Sequence, residues 1–246
     1  MEKWRLMIDS PKNAFINMAI DEAILLEGIP TLRLYKWKPS AISIGYFQSI
    51  EEEVNLNECE KQKVDVVRRI TGGGAVYHDE KGEITYSVVC SQNSLPENIL
   101  ESYKVICNSI CHGLKFLGIE AIHSGINDIV VNGRKISGSA QTRKYGRILQ
   151  HGTILVKTNV KKMFSLLKVS KEKISDKEIR RVEDRVTSLE KEVGRIDDNE
   201  VIISLIKGFE EKMKIKFYEG ELNDKEVATT NTLRRKYESK EWNFKR

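Results

Sequence analysis

The sequence predicts an α+β fold in one domain spanning residues 1–246, with a helical C-terminal third from about residue 159 to 246. Three observations predict it. Short segments alternating with period two fill most of the first 156 residues, as half-buried strands do. The stretch Ile99–Leu117 repeats apolar residues at three- and four-residue steps, as an amphipathic helix does. Beyond residue 159 helical spacing dominates, and no repeat, low-complexity run or long Pro/Ser-rich linker divides the chain.

Taken in order, Trp4–Ile8 reads as a first strand and Asn13–Glu27 as a helix stopped by Gly28. Thr31–Trp37 and Ala41–Ile44 read as strands, and Val54–Lys63 as a short helix. Val64–Arg69, Ala75–His78 and Glu83–Cys90 read as strands around a glycine run. Asp128–Val131 and Lys135–Gln141 flank Asn132-Gly133, a hairpin signal, because both turn positions of that type need positive φ. Leu149–Val156 adds a strand. Helices follow at Lys161–Leu167, Asp176–Arg185 and Asn199–Met213, then a strand at Lys214–Tyr218 and a helix at Asp224–Tyr237.

At 40% hydrophobic and 31% charged residues, the composition is that of an ordinary soluble domain. No apolar run approaches the ~18 residues that cross a bilayer, and the N-terminus lacks a secretion signal. No membrane association and a cytoplasmic location are therefore expected. The cysteines, Cys59, Cys90, Cys107 and Cys111, form no Cys-x-x-Cys pair and are expected as reduced thiols. Cys107 and Cys111 fall on the apolar stripe of their helix, which favours burial over metal binding. Net charge is +5, and residues 159–195, with eleven Lys/Arg against seven Asp/Glu (11 − 7 = +4), hold most of the excess. That basic face suits an anionic ligand or an acidic partner; no motif supports nucleic acid.

The run Arg68-Arg69-Ile70-Thr71-Gly72-Gly73-Gly74-Ala75-Val76-Tyr77-His78-Asp79 is the most informative part of the chain. Three glycines after a strand offer bare backbone to a ligand, and the two arginines suggest an anionic one. It matches neither the dinucleotide fingerprint nor the phosphate loop. A second constellation runs from Ser124 to Gln141. Strand alternation predicts that Lys135, Ser137 and Ser139 share a face, with Gly138 leaving room for a ligand. A third, Gln150-His151-Gly152-Thr153, opens the next strand.

In this order the blocks resemble the lipoate–protein ligases of the biotin/lipoate ligase and octanoyltransferase superfamily. Asp21–Ile24, Ile44–Gln48, Arg185–Leu189 and Glu241–Phe244 also resemble that family. The resemblance implies a mixed, largely antiparallel sheet flanked by helices, as in biotin ligases and class II aminoacyl-tRNA synthetases. It implies ATP-dependent ligation of lipoate, through a lipoyl-adenylate, to a lysine ε-amine of lipoyl domains of 2-oxoacid dehydrogenases or of the glycine-cleavage H protein. Lys135 is then the catalytic residue. Arg69, Gly72, Gly73, Gly74, Ala75, Tyr46, Val76, Tyr77, His78, Ser137, Gly138, Ala140, His151 and Gly152 are expected to bind substrate. Arg69, Asn127, Asp128, Lys135 and Arg185 are expected at the nucleotide, with Asp128 at Mg²⁺, and the segment Lys171–Arg185 resembles the family's adenylate-covering loop. Two-domain ligases continue past the Trp242-Asn243 region, so a separate accessory-domain protein is an expected partner.

The alternative within the same fold is an octanoyltransferase, which passes the acyl chain through a cysteine thioester. No cysteine follows Cys111, which speaks against it, while Gly82-Glu83-Ile84-Thr85-Tyr86 resembles the transferase branch. Biotin ligation is disfavoured by the absent Gly-Arg-Gly-Arg-x-Gly-Arg loop. A non-catalytic lipoyl-domain-binding protein is disfavoured because Arg69, the glycines, Asp128 and Lys135 are all present.

Overall fold

The computed structural model describes residues 1–168 and 184–245. Its strands are β1 (Glu2–Ile8), β2 (Thr31–Tyr35), β3 (Ala41–Ile44), β4 (Asp65–Arg68), β5 (Val76–His78), β6 (Glu83–Ser91), β7 (Ala121–Ser124), β8 (Asp128–Val131), β9 (Arg134–Lys144), β10 (Arg147–Leu155) and β11 (Ile215–Glu219). The helices are α1 (Ala14–Glu27), α2 (Ile50–Glu53), α3 (Leu56–Lys61), α4 (Ile99–Lys115), α5 (Val160–Leu166), α6 (Leu189–Val193), α7 (Asp198–Met213), α8 (Asp224–Glu238) and α9 (Lys240–Asn243).

Eight strands form one sheet in the order β11-β1-β2-β6-β10-β9-β8-β7, and β4-β3-β5 form a second. In the large sheet, β1 runs parallel to β11 and β2, and the other pairs are antiparallel. This is the expected mixed, largely antiparallel arrangement. β7 was not anticipated: Ala121–Ser124 is short and only Ala121 is buried.

Strand alternation divides the large sheet into two faces. Ile84, Tyr86, Val88 and Cys90 of β6 join Ile106, Ile110 and Leu114 of α4 and Val201, Leu205 and Phe209 of α7 in one core. Glycines let these two helices approach closely: a Cβ on Gly208 would fall 2.4 Å from the Ser109 carbonyl oxygen. Cys107 and Cys111 sit in this core, as their spacing predicts. On the other face, Met18, Ile24 and Leu25 of α1 pack with Tyr35, Val89, Leu149 and Tyr237. Asn13 caps α1 by accepting from the Ile16 N–H, and Gly28 ends it in the left-handed region at φ 81°. The helix expected over Val54–Lys63 is α3, Leu56–Lys61, and extended Val54 separates it from α2, Ile50–Glu53, which was not anticipated. The expected helix Asp176–Arg185 and most of the segment Lys171–Arg185 lie outside the described residues.

Arg68 and Glu22 bind the C-terminal helices to the body. The Arg68 guanidinium donates to the carbonyls of Gly45, Tyr46, Gln48, Trp242, Asn243 and Lys245. It is thus spent on the chain's own backbone and faces no ligand, unlike the entrance role expected of it. Glu22 accepts from Lys236 Nζ and Tyr237 Oη, both at 2.6 Å.

Candidate active site

The small sheet, α1 and the α1 face of the large sheet enclose a pocket. The glycine run forms one wall. Gly73 adopts φ +91°, which a side chain would strain. Its carbonyl oxygen lies so near Gly45 that a Cβ there would overlap it at 1.9 Å. Gly73 and Gly74 are exposed, and among the described residues nothing accepts from their N–H groups. These are donors free for a ligand, as the bare backbone predicts.

Arg69 fixes this loop from beneath. Its Nη2 donates to the carbonyls of Gly72 and Gly74 at 2.7 Å each. Its Nη1 reaches the Ser43 carbonyl at 2.9 Å and Oγ at 3.2 Å, and Nε reaches Thr71 Oγ1 at 3.0 Å. No carboxylate pairs with it directly among the described residues, and burial brings its pKa down to about 10. Arg69 lines the pocket as expected, but its donors are committed to the protein.

Two similar relays meet at this guanidinium. Thr71 Oγ1 is 2.8 Å from His151 Nε2, and His151 Nδ1 is 3.0 Å from Asp21 Oδ2. Ser43 Oγ is 2.8 Å from His78 Nε2, and His78 Nδ1 is 2.9 Å from Glu83 Oε1. Burial lowers the His151 pKa more than Asp21 raises it, so the ring is neutral. Arg69 can only donate. Thr71 therefore accepts from Arg69 and donates to His151 Nε2, leaving Nδ1–H for Asp21. For Asp21, burial raises the pKa, but the His151 hydrogen bond and the Arg33 charge outweigh it and hold the carboxyl below its ordinary range. His78 also stacks on Trp37, with ring centroids 3.9 Å apart.

Lys135 stands at the opposite wall. Its Nζ is 2.7 Å from Asp128 Oδ1, and its side chain lies over Gly138. Its backbone is held by the Arg185 carbonyl, which accepts from Lys135 N at 2.7 Å, and by Thr187 N, which donates to the Lys135 carbonyl at 2.9 Å. Asn127 donates through Nδ2 to the Ser139 carbonyl and accepts from Ser139 N, closing the turn before β8.

Lys135 does not share a face with Ser137 and Ser139. The β8–β9 register shifts between Ile129 and Val130, so that Ile129 pairs with Ser137 but Val130 with Lys135. The extra residue, Ile136, is buried in the α4 core. Such a bulge reverses the alternation on one side of it. Ser139 Oγ meets Tyr86 Oη at 2.7 Å on the α4 side, whereas Lys135, Gly138 and Ala140 face the pocket.

Of the expected site residues, Arg69, Gly73, Gly74, Ala75, Val76 and His78 line the pocket from one side. Asn127, Lys135, Gly138, Ala140, His151 and Gly152 line it from the other. Gly72 contributes its carbonyl to Arg69 instead, and Ser137 is buried toward α4. Tyr77 points away because β5 alternates: Val76 and His78 face the pocket, and Tyr77 packs in the small sheet's own core. Tyr46 lies outside the pocket, beside Trp242 and Lys245. Met18, Tyr35, Trp37, Ser43, Thr85 and Thr153 line the pocket without having been anticipated. For Thr153 the signal was present, since it lies two residues from His151 on the same strand.

Asp128, expected at Mg²⁺, is engaged with Lys135. Among the described residues no group of three His, Cys, Asp or Glu is placed to hold a metal ion. No helix among them is long and apolar enough to cross a membrane.

A family model described as the lipoyl protein ligase A/B catalytic domain matches residues 13–210. Octanoyltransferase LipM of Clostridioides difficile is 34% identical over the whole of both chains. Octanoyltransferase LipM of Carboxydothermus hydrogenoformans is 38% identical, again over the whole of both. Among solved structures, a bi-partite lipoate protein ligase from Thermoplasma acidophilum superposes with a TM-score of 0.92 at 33% identity, covering 99% of this chain and 97% of that one. The full-length curated relatives overturn ATP-dependent lipoate ligation as the expected activity: they carry the transferase name, and the ligase name comes from structural neighbours. The transferase-like stretch Gly82–Tyr86 was the signal that pointed this way. Its Glu83 is buried and holds His78 in the relay.

Proposed function

This chain belongs to the lipoyl protein ligase A/B catalytic-domain family, and from that premise we propose that it transfers an octanoyl group from a thioester donor to the lysine ε-amine of a lipoyl domain. The full-length likeness to octanoyltransferases supports the reaction class. The solved bi-partite ligase, described together with its E2 lipoyl domain, supports the acceptor class. The observation that carries the reading is the pocket itself, in which apolar and aromatic walls lead to one lysine–carboxylate pair.

Met18, Tyr35, Trp37, Ala75, Val76 and Ala140 offer an apolar lining to the acyl chain. Burying each methylene there contributes about 0.8 kcal/mol. The carbonyl end lies toward Lys135. An amine that attacks a thioester generates an oxyanion, which Lys135 Nζ and the free N–H groups of Gly73 and Gly74 stabilise. Asp128 holds Lys135 in place at 2.7 Å. A thioester already carries an activated acyl group, so this reaction needs no nucleotide.

The test is octanoylation of a purified lipoyl domain by this protein with an octanoyl thioester as donor, read by intact mass. Modification of the acceptor lysine without ATP is the expected result. Modification that appears only when ATP is supplied would sink the reading.

A further inference from the structure

Beside the pocket, a cluster of lysines and aromatic rings takes no part in the site described above. Phe47 is 88% exposed, and its neighbour Tyr46 is half-buried. Gly45 abuts the Gly73 carbonyl, and Tyr46 N donates to the Thr71 carbonyl at 2.9 Å, so this segment is fastened to the glycine wall. Lys144, near the tip of the β9–β10 hairpin, places Nζ 5.4 Å from the Tyr46 ring centroid. The C-terminal segment completes the cluster. Lys245 Nζ lies 3.7 Å from the Tyr46 centroid and 3.6 Å from that of Trp242, and Lys236 Nζ lies 3.9 Å from Trp242.

Three ammoniums thus gather around two rings. The negative ring faces lower the cost of that gathering. Glu22 pairs with Lys236, but Lys144 and Lys245 pair with no carboxylate among the described residues. Burial, aided by repulsion from Lys144 and Lys245, holds the Lys236 pKa below its ordinary value despite Glu22. The charge is therefore left for an anionic partner. Arg68 makes the arrangement rigid, since one guanidinium holds the carbonyls of Tyr46, Gln48, Asn243 and Lys245. A surface held in place before binding loses little entropy when a partner arrives. Tyr46 and Trp242 already serve ammoniums, which makes them poor stacking platforms for nucleic-acid bases. Phe47 projects into solvent, as the apolar anchor of a protein interface does.

Resting on the acceptor class proposed above, we propose that this face is where the lipoyl domain docks. An acidic surface around its acceptor lysine would lie against Lys144, Lys236 and Lys245, and an apolar side chain against Phe47. A lysine side chain is short, so the domain that carries it must press on the surface next to the pocket. The cluster has that position. It joins the pocket through the Gly45–Gly73 contact and through β9, whose Gly138 and Ala140 line the pocket. A small thioester donor needs no such surface.

The test uses the full chain, a small octanoyl thioester as donor and the lipoyl domain of a 2-oxoacid dehydrogenase as acceptor. Phe47→Ala and Lys144→Glu alter exposed side chains, so both variants should fold with the parent's Tm. Each should raise KM for the lipoyl domain about tenfold or more, with kcat and donor KM within about twofold of the parent. Calorimetric titration should show the lipoyl domain binding the parent, more weakly as salt is raised, and binding to either variant should be lost. Unchanged acceptor KM and binding in both variants would overturn the docking face and leave the transferase reading intact. So would a loss confined to kcat, which would assign these residues to the chemistry instead. Displacement of the domain by an equal concentration of single-stranded oligonucleotide would overturn the proposal in favour of a nucleic-acid face. Salt-dependent binding that is lost in both variants, with no octanoylation under any condition, would instead overturn the transferase reading and leave the docking face standing.

Discussion

The Nζ of Lys135 occupies the space into which a side chain at Gly138 would project. A Cβ built there would fall 2.8 Å from Nζ and 2.9 Å from Cε. Gly138 does not have positive φ, so alanine is tolerated by the backbone and acts by displacing the lysine. We expect Gly138→Ala to lower kcat tenfold or more, which corresponds to about 1.4 kcal/mol of lost transition-state stabilisation, with little change in Tm. A kcat equal to the parent's would show that Lys135 need not occupy this position.

Asp128 makes the complementary case. Its carboxylate holds Lys135 Nζ at 2.7 Å, with both side chains more than a third exposed. An ion pair so placed contributes little to stability, on the order of 0–1 kcal/mol. Asp128→Asn should therefore leave the unfolding midpoint nearly unchanged while slowing acyl transfer, because the lysine loses its anchor. A variant that unfolds readily but retains full kcat when folded would reverse this assignment.

Arg69 differs from both because its planar fork is used in full. Lysine has three donors and no fork, so it cannot reproduce contacts to Gly72, Gly74, Ser43 and Thr71 together. Each buried acceptor left unmatched costs about 1–3 kcal/mol. Arg69→Lys should destabilise the protein by several times RT and free the glycine loop. Denaturant unfolding measures the first effect, and increased amide exchange at Gly73 and Gly74 the second. Unchanged stability would mean that the loop is held by other contacts.

The positions of these residues were legible in the sequence to different depths. Period-two and period-3.6 patterns located the sheet and α4 because burial on one face dictates residue type along a whole element. The glycine run, Lys135 and His151 were legible as one site. The facing of Lys135 was not, since it depends on the bulge at Ile136, and an isoleucine there looks like any strand residue. The role of Arg69 was also hidden. Its partners are backbone carbonyls and two hydroxyls, and backbone atoms leave no trace in residue identity. Tyr77 illustrates the opposite case: the strand around it was recognised, and alternation applied to Val76–His78 would have turned it away from the pocket. The choice between ligase and transferase turned on full-length likeness to octanoyltransferases; in the sequence itself the stretch Gly82–Tyr86 was less visible than the absent cysteine.

Chain length tests the pocket walls. If the acyl chain lies against Met18, Trp37 and Val76, each methylene removed from an octanoyl donor loses about 0.8 kcal/mol of burial. That is roughly a fourfold rise in donor KM per carbon, from octanoyl to hexanoyl to butanoyl. Trp37→Ala should flatten the series, because it removes wall from one end of the pocket and also leaves His78 without its stacking partner. A KM independent of chain length would place the chain outside this pocket.

The buried relay through His151 gives the protein an acid limit whose sign follows from its environment. Burial lowers the His151 pKa from an ordinary 6.5. Below pH 6.5 the unfolded chain therefore binds a proton that the folded protein resists. The unfolded state then holds more protons, and stability falls as pH drops through this window. Asp21 acts in the same direction at lower pH: its folded pKa is lowered from 3.8, so its contribution is lost as pH falls through the depressed folded value. Well above pH 6.5 neither group titrates in either state, and stability from this relay is constant. We therefore expect Tm to fall from about pH 6.5 downward. His151→Gln, which cannot be protonated there, should remove the upper part of the slope while lowering Tm at neutral pH through loss of the Asp21 contact. An identical pH slope in the variant would assign the acid transition to another group.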